Sequence, residues 1–142
     1  MKLHRNFVSA LLICLGSAVA ADETDKTETL RVELNAADTI GDACRLTFLI
    51  NNDLAVDVES LVVETVLFSK EQQVILLTLF DFAALPLGRP RVRQFQVPNV
   101  TCDGIGMVLV NGADNCAGNG LNAAVCERSL VVSSRTSIAL EG

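Results

Sequence analysis

The chain contains no tryptophan and no tyrosine, and its single histidine, His4, lies close to the N-terminus. Beyond His4, Ser-His-Asp and Cys-His catalysis lack their general base, and zinc sites that use histidine lack that ligand. Sugar-binding platforms built from Trp or Tyr are excluded, and stacking on single-stranded nucleic acid would have only phenylalanine to use. These absences remove several common enzyme and binding classes.

The first 21 residues have the three parts of a secretory signal peptide. A basic start is followed by an apolar run over residues 7–15 and by small residues over 17–21. We expect cleavage after Ala20 or Ala21, and a periplasmic or secreted mature protein in an oxidising compartment. An uncleaved membrane anchor is the alternative, and Gly16 argues against it because it interrupts the apolar run.

The mature chain is predicted to have a flexible polar spacer over residues 22–29 and one domain over residues 30–142. No stretch after the signal approaches the 18 or more apolar residues of a membrane span. Loss of Lys2 and Arg5 lowers the 11 basic residues to 9 against 17 acidic ones, a net charge of −8. This charge argues against nucleic-acid binding, which requires phosphate-neutralising cations.

Short apolar or alternating runs separated by turn residues predict an all-β fold. Residues 61–68 and 74–80, with a five-residue polar connection, are expected to form a hairpin. Three connections are expected as loops: residues 35–42, the Pro- and Gly-containing 81–90, and the long Gly- and Asn-rich 111–127. Strands are expected over residues 30–34, 43–50, 61–68, 74–80, 91–97, 105–110 and 129–140. Seven such strands predict an antiparallel β-sandwich.

The strand over 91–97 presents a conflict, because Arg91 and Arg93 share a face with Phe95 and Val97. If the apolar pair faces the core, the arginines must lie past the rim of the sheet or beyond a bulge. One interpretation is that Arg89, Arg91 and Arg93 form a basic partner-binding patch. The other is that they protect an edge strand and pair with the many acids.

Four cysteines remain in the mature chain, an even number that predicts two disulfides in an exported protein. Three pairings are open, and we favour Cys44–Cys102 with Cys116–Cys126. The second pair brackets the Gly- and Asn-rich loop, whereas the first ties the N-terminal half to the C-terminal half. The chain contains no Cys-x-x-Cys motif, so a thioredoxin-like redox role is not indicated.

Other candidate sites have weaker support. Phe82 and Leu85 are candidates for an exposed partner-binding tip in the 81–90 connection, or they anchor that connection to the core. The oxygen-rich 111–122 segment suggests calcium, but it fails the EF-hand spacing. The acidic residues are scattered, and none marks a catalytic pair. We therefore predict no catalytic residue, no metal and no cofactor.

The stretch from Cys44 to Val110 resembles immunoglobulin-like domains of exported bacterial proteins. The similarity lies in the Asn51-Asn52 turn, the strand over 63–68 before a polar hairpin, and the Leu-Pro-Leu-Gly segment over 85–88 before the strand that ends at Pro98. The whole chain is similar to small periplasmic proteins of Gram-negative bacteria. This resemblance implies an immunoglobulin-like sandwich and transfers no functional residues.

The function expected from these features is a non-enzymatic binding or accessory module of the cell envelope. The sequence does not identify its molecular partner, and a protein is the candidate. The expected surfaces of the module are the Arg89–Arg93 segment, the connection over 81–88 and the stapled loop over 111–127, because loops on rigid sandwiches commonly bind. Two alternatives stay open: a structural subunit that assembles through sheet edges, and a small hydrolase that depends on carboxylates or calcium. The oligomeric state is not indicated.

Overall fold

The computed structural model describes residues 27–142 of the chain. Within them, segments with alternating inward and outward side chains form eight strands, arranged in two four-stranded sheets. Within this described range a single short helix, α1, covers Ala123–Ser129, and a 3₁₀ turn covers Cys102–Gly104. The strands are β1 Leu30–Ile40, β2 Ala43–Asn52, β3 Val58–Phe68, β4 Val74–Leu85, β5 Arg91–Val97, β6 Met107–Ala117, β7 Leu130–Ser134 and β8 Ala139–Glu141. The predicted all-β sandwich is confirmed.

The first sheet has the strand order β5-β2-β1-β7, and the second has the order β4-β3-β6-β8. Of the six pairs of neighbouring strands in these two sheets, β1–β2, β2–β5, β3–β4 and β3–β6 are antiparallel. The expectation of purely antiparallel pairing was wrong at the C-terminus, since β7 runs parallel to β1 and β8 runs parallel to β6. The chain therefore ends by adding one strand to an edge of each sheet.

Two predicted loops are mostly strand. Residues 35–42 were expected as a loop, but β1 continues to Ile40, which pairs with Ala43 across the two-residue turn Gly41–Asp42. Gly41 has φ of 61°, and a glycine at the first position of a two-residue hairpin turn is a strong hairpin signal. The 81–90 connection was also shortened, because β4 continues to Leu85 before the chain crosses to the other sheet.

The predicted long loop over 111–127 was wrong for its first part, which continues β6 as far as Ala117. The register of β6 against β3 shifts twice, between Val62 and Val63 and between Glu64 and Thr65. Such bulges break the period-two alternation that marks a strand in sequence. The predicted last strand over 129–140 is two strands, β7 and β8, because the chain changes sheets between them.

The core lies between the two sheets and contains a cluster of four phenylalanines. Phe48 on β2 packs near Phe80 and Phe82 on β4 and Phe95 on β5, at ring-centroid distances of 5.5–5.9 Å. Phe80 and Phe95 stack at 4.2 Å with their rings 6° apart. Aromatic pairs of this kind add to the free energy gained by burial. The cluster joins the β4 edge of one sheet to the β5 edge of the other.

Both predicted disulfides are present, Cys44–Cys102 and Cys116–Cys126. The first joins β2 to the 3₁₀ turn, and the second fixes α1 against β6. Two formed disulfides fit a protein that folds in an oxidising compartment. The predicted signal peptide lies outside the described residues, as does most of the predicted spacer. Within residues 27–142, no helix has the length and apolar character needed to span a membrane.

Candidate binding surface

Phe82 and Leu85 do not form an exposed tip, because each side chain is only 1% exposed. Phe82 belongs to the phenylalanine cluster, and its ring lies edge-on to those of Phe48 and Phe95 at 5.5 Å. Leu85 closes the same core at the end of β4. The prediction of an exposed tip was therefore wrong, and these side chains anchor the segment to the core.

The turn that follows β4 is fixed by two polar side chains, one at the end of β2 and one in the connection from β2 to β3. The Asn52 amide is buried, donates to the carbonyls of Val56 and Leu85 at 2.9 and 2.7 Å, and accepts from the N–H of Leu54. Asp57 accepts from the N–H of Leu87 at 2.7 Å. The connection over 85–88 is thus held in one conformation by the body of the protein.

The three candidate arginines have different surroundings. Arg89 is exposed in the turn, and its N–H donates to the carbonyl of Pro86. Arg91 is half-buried and donates to the carbonyl of Pro90. The Nε and Nη2 atoms of Arg93 donate to the carbonyls of Phe82 and Ala84 at 2.9 and 3.2 Å. Their joint role in binding a partner stays a prediction.

Strand β5 contains no bulge, although Arg93 shares a face with the apolar Phe95. Residues 91–97 pair with β2 in unbroken register, so Arg93 keeps the same inward parity as Phe95. Its guanidinium reaches across to the backbone of β4 on the other sheet. Among the described residues, the ion pairs involve other arginines: Arg31–Asp53, Arg45–Asp38 and Arg135–Glu33. Arg93 thus contacts backbone carbonyls instead of the expected acids, and its edge-protecting role stays a prediction.

The segment over residues 111–127, which the Cys116–Cys126 disulfide closes, has few oxygen groups free to bind a metal ion. Asn111 donates to the carboxylate of Glu64, Asn115 donates to the hydroxyl of Ser60 at 3.0 Å, and Asn122 caps α1 by accepting from the N–H of Val125. Within residues 27–142, no group of three or more His, Cys, Asp or Glu side chains has the arrangement needed to hold a metal ion. The amides that suggested calcium act here as structural hydrogen-bonding groups.

A surface that the sequence analysis missed lies on strand β4, the edge strand of the second sheet. Its residues 80–85, here called the covered half, bury Phe80, Phe82 and Leu85. Its residues 74–79, the open half, expose Val74, Ile75, Leu77 and Leu79 by 62%, 38%, 59% and 52%. Large apolar side chains at this density on one strand are unusual for a protein surface.

The open half continues onto the outer surface of its sheet. Val66 on β3 lies opposite Leu77 on one side and Leu109 of β6 on the other. Side chains directly opposite each other in a sheet share a face, and the inward residues of β3 are Leu61, Val63, Thr65 and Leu67, all buried. The outward face, here called the apolar face, comprises exposed, half-buried and buried side chains. Val74, Leu77 and Leu79 are exposed, Phe68, Met107 and Leu109 are half-buried, and Val66 is buried among its neighbours.

The outer face of the first sheet is different. On β5 the outward residues are Val92, Gln94 and Gln96, and Gln94 donates to the hydroxyl of Thr47 across the strands at 3.0 Å. An apolar pair, Val92 opposite Leu49, and the exposed Val131 on β7 interrupt this mostly polar surface. Polar outward faces are the usual state of an antiparallel sandwich, so the apolar face is the exception within this molecule.

The sequence did contain a signal for the apolar face. In a two-layer sandwich each strand buries one face, so outward positions are expected to be polar. Residues 61–68 and 74–80 are apolar at both parities, with Val66 and Phe68 outward on one strand and Leu77 and Leu79 outward on the other. Apolar residues on both faces of a hairpin indicate either a third covering layer or a binding surface.

A pocket of about 350 Å³ lies at one end of the apolar face. It is formed where the β3–β4 hairpin meets the start of β6 and the segment before β8. Two of its residues, Phe68 and Met107, also belong to the apolar face. The lining residues are Phe68, Ser69, Lys70, Gln72, Gly106, Met107, Ser137 and Ala139.

No protein-family model and no curated protein sequence matches this chain. Among solved structures, the chain is similar to one described as the structural characterization of IrmA from Escherichia coli. The two are 13% identical, with a TM-score of 0.59 over 74% of this chain and 91% of that one. At this identity the similarity concerns the fold alone.

Proposed function

We propose that this protein is a non-enzymatic, exported binding module of the cell envelope that holds a protein partner on its apolar face. The observation that carries the proposal is the open half of β4, where Leu77 and Leu79 are more than half exposed. Contiguous apolar surface of this kind is costly in water unless a partner covers it. The proposed site therefore differs from the loops and the arginine segment expected from sequence.

Carboxylates along the apolar face suggest the chemistry of the partner. Glu64 lies opposite Leu79, and Glu141 lies opposite Leu109, each on the same face as its apolar neighbour. Asp81 follows on the same strand at the boundary with the covered half. A partner with an apolar centre and basic flanking residues complements this pattern. Its binding should weaken as salt increases, because rim charges are screened.

Export is supported by the N-terminal sequence pattern together with the two disulfides, Cys44–Cys102 and Cys116–Cys126. In such a compartment the rigid sandwich supplies a fixed platform for recognition. The Asn52 and Asp57 contacts hold the connection over residues 85–88 in place at one end of this platform.

The experiment is a crosslinking pull-down of the exported protein from cells of its native host, with Leu77→Lys compared to Val131→Lys. Val131 is a matched control, because it is 48% exposed on the other sheet. We expect Leu77→Lys to abolish recovery of a defined partner and Val131→Lys to leave recovery unchanged. Equal recovery in both variants, with both folded, would refute the apolar face as the site.

A second candidate function, assembly of copies through sheet edges, is favoured by one observation. Strand β4 is an edge strand, and its open half carries no charged residue between Val74 and Leu79. Exposed apolar edge strands are templates for pairing with another chain. Sedimentation velocity over a range of protein concentrations distinguishes the two candidates. Oligomers that Leu77→Lys dissolves would favour assembly, whereas a monomer at all concentrations would exclude it.

A further inference from the structure

The pocket at the end of the apolar face has a rigid frame. The β3–β4 hairpin closes with a hydrogen bond from the N–H of Gln72 to the carbonyl of Ser69 at 3.0 Å, and Gln72 has φ of 63°. The N–H of Ser69 donates to the carbonyl of Gln73 at 2.8 Å. The Ser69 hydroxyl oxygen accepts from the N–H groups of Glu71 and Gln73. A turn tied in this way presents its side chains in fixed positions.

The other wall of the pocket depends on Gly106. Its N–H donates to the carbonyl of Phe68 at 2.8 Å, and its carbonyl accepts from the N–H of Ala139 at 3.1 Å. A Cβ at this position would lie 2.8 Å from the Ser69 carbonyl oxygen and 2.9 Å from the Cα of Lys70. Glycine thus lets the hairpin lie directly on the start of β6, and this contact shapes the cavity.

The lining divides into an apolar part and a polar mouth. Phe68, Met107 and Ala139 supply apolar surface, whereas Ser69, Lys70, Gln72 and Ser137 supply polar groups. Lys70 is the one charged residue among these lining residues of the described chain. No ion pair within residues 27–142 includes it. In a chain with 17 acidic residues, this pocket is a local positive site.

The Ser69 hydroxyl adds a donor to this positive site. Serine offers one O–H donor and two acceptor positions. Both hydrogen bonds described for the Ser69 oxygen use it as an acceptor, which leaves its proton for another group. A carboxylate accepts hydrogen bonds through both oxygens and pairs with an ammonium group. The lining therefore complements a molecule with a short apolar body and one carboxylate.

We propose that the pocket binds a small amphipathic carboxylate, with its apolar body on Phe68, Met107 and Ala139 and its carboxylate at Lys70 and Ser69. The volume of about 350 Å³ is at the lower end of the range for small-molecule sites, which limits the ligand to a short chain or a single ring. The proposal does not depend on the protein partner, although Phe68 and Met107 belong to both surfaces.

The test uses octanoate and its neutral counterpart 1-octanol as probes, with binding to the mature protein followed by amide NMR shifts. We expect saturable shifts at Phe68, Gly106, Met107 and Ala139 for octanoate. We expect weaker binding of 1-octanol, by about tenfold, because it lacks the charge that strengthens the contact with Lys70. Shifts that do not saturate, or shifts elsewhere in the chain, would overturn the proposal.

Two variants in the pocket and one control variant locate the site. Lys70→Gln should weaken octanoate by about tenfold and leave 1-octanol unchanged, because it removes a charge-assisted contact and keeps a polar side chain. Arg128→Gln, the same change of charge on α1, should leave both probes unchanged. Ala139→Leu should reduce both probes, because it fills the cavity. If Lys70→Gln and Arg128→Gln weakened octanoate binding equally, the effect would depend on net charge alone, and the proposed site would be overturned.

The variants also separate this inference from the proposed function. Lys70→Gln lies outside the apolar face and should leave recovery of a protein partner intact. Leu77→Lys should abolish that recovery and leave octanoate binding within about twofold. Thermal unfolding of each variant checks that it folds. Loss of octanoate binding in Leu77→Lys, at unchanged thermal stability, would contradict a separate small-molecule site.

Discussion

The two halves of β4 have similar apolar composition and opposite surroundings. In the covered half, Phe80 and Phe82 enter the phenylalanine cluster, and the Arg93 guanidinium covers the edge carbonyls. In the open half, Leu77 and Leu79 face outward with no second layer over them among the described residues. Apolar composition thus identifies the strand, whereas the face of the sheet that each side chain occupies decides whether it belongs to the core.

The largest expected effect compares the same substitution in both halves. Leu85→Ala should lower the free energy of unfolding by about 2–5 kcal/mol, because it removes a buried side chain and leaves a cavity. Leu77→Ala should change it by less than about 0.5 kcal/mol, because that side chain is largely in solvent. Urea unfolding of both variants measures the difference. Similar losses would mean that the open half is part of the core.

A second prediction concerns Arg93, whose guanidinium contacts the backbone of the covered half of β4. Arg93→Met should lower the free energy of unfolding by about 1–2 kcal/mol, because the carbonyls of Phe82 and Ala84 lose a charged donor. Arg89→Met is the matched control, since Arg89 is exposed in the turn, and it should stay within about 0.5 kcal/mol of the wild type. Urea unfolding again gives the values. Equal effects of the two substitutions would contradict the edge-protecting role of Arg93.

A third prediction concerns the backbone of the covered half. Ala83 has φ of 55°, a conformation that disfavours residues with a side chain. Ala83→Gly should raise the free energy of unfolding by about 0.5 kcal/mol, because the relief of strain exceeds the entropy gained by the unfolded chain. Its neighbour Ala84 has an ordinary φ, so Ala84→Gly should be destabilising. The idea fails if thermal melts move in the same direction for both.

The smallest expected effect concerns Glu33 on β1, in the first sheet, and serves as a comparison for the open half of β4. The Asn35 amide and the Arg135 guanidinium lower the pKa of Glu33 below its ordinary value. A lowered folded-state pKa gives stability that is present above the unfolded pKa and lost as the pH falls through the folded one. Glu33→Gln should therefore flatten the acid side of the stability profile. Urea titrations at a series of acidic pH values test this, with Leu77→Ala expected to keep the wild-type slope.

Much of the fold followed from the sequence because local patterns agree with it. The strand over 91–97 and the hairpin over 61–80 were predicted correctly, and so were both disulfides. The misses arose where bulges interrupt alternation, as in β6, whose register against β3 shifts twice. The division of residues 129–140 into β7 and β8 depends on which sheet each part joins, and no local pattern contains that information.

The candidate site was less predictable for a related reason. Leu77 and Leu85 share the same parity on β4, but Leu77 is exposed and Leu85 is buried, because the register of β4 against β3 shifts between them. Which face of the sheet each residue occupies is therefore not set by local alternation alone. The role of Arg93 likewise depends on carbonyls contributed by β4, 9–11 residues earlier in sequence. The apolar outward positions of β3 and β4 were visible in the sequence. Their exposure follows only once the two sheets are assigned, and within residues 27–142 no second layer lies over them.

The most direct test of the central claim is amide hydrogen exchange by mass spectrometry, on the mature protein alone and on its complex with the recovered partner. We predict that, in the complex, amide protection increases over residues 74–79 and at Val66 and Leu109. Strand β5, with Arg91 and Arg93, should keep the exchange rates of the free protein. Increased protection over residues 89–93, with no change over residues 74–79, would contradict it and would return the site to the arginine segment.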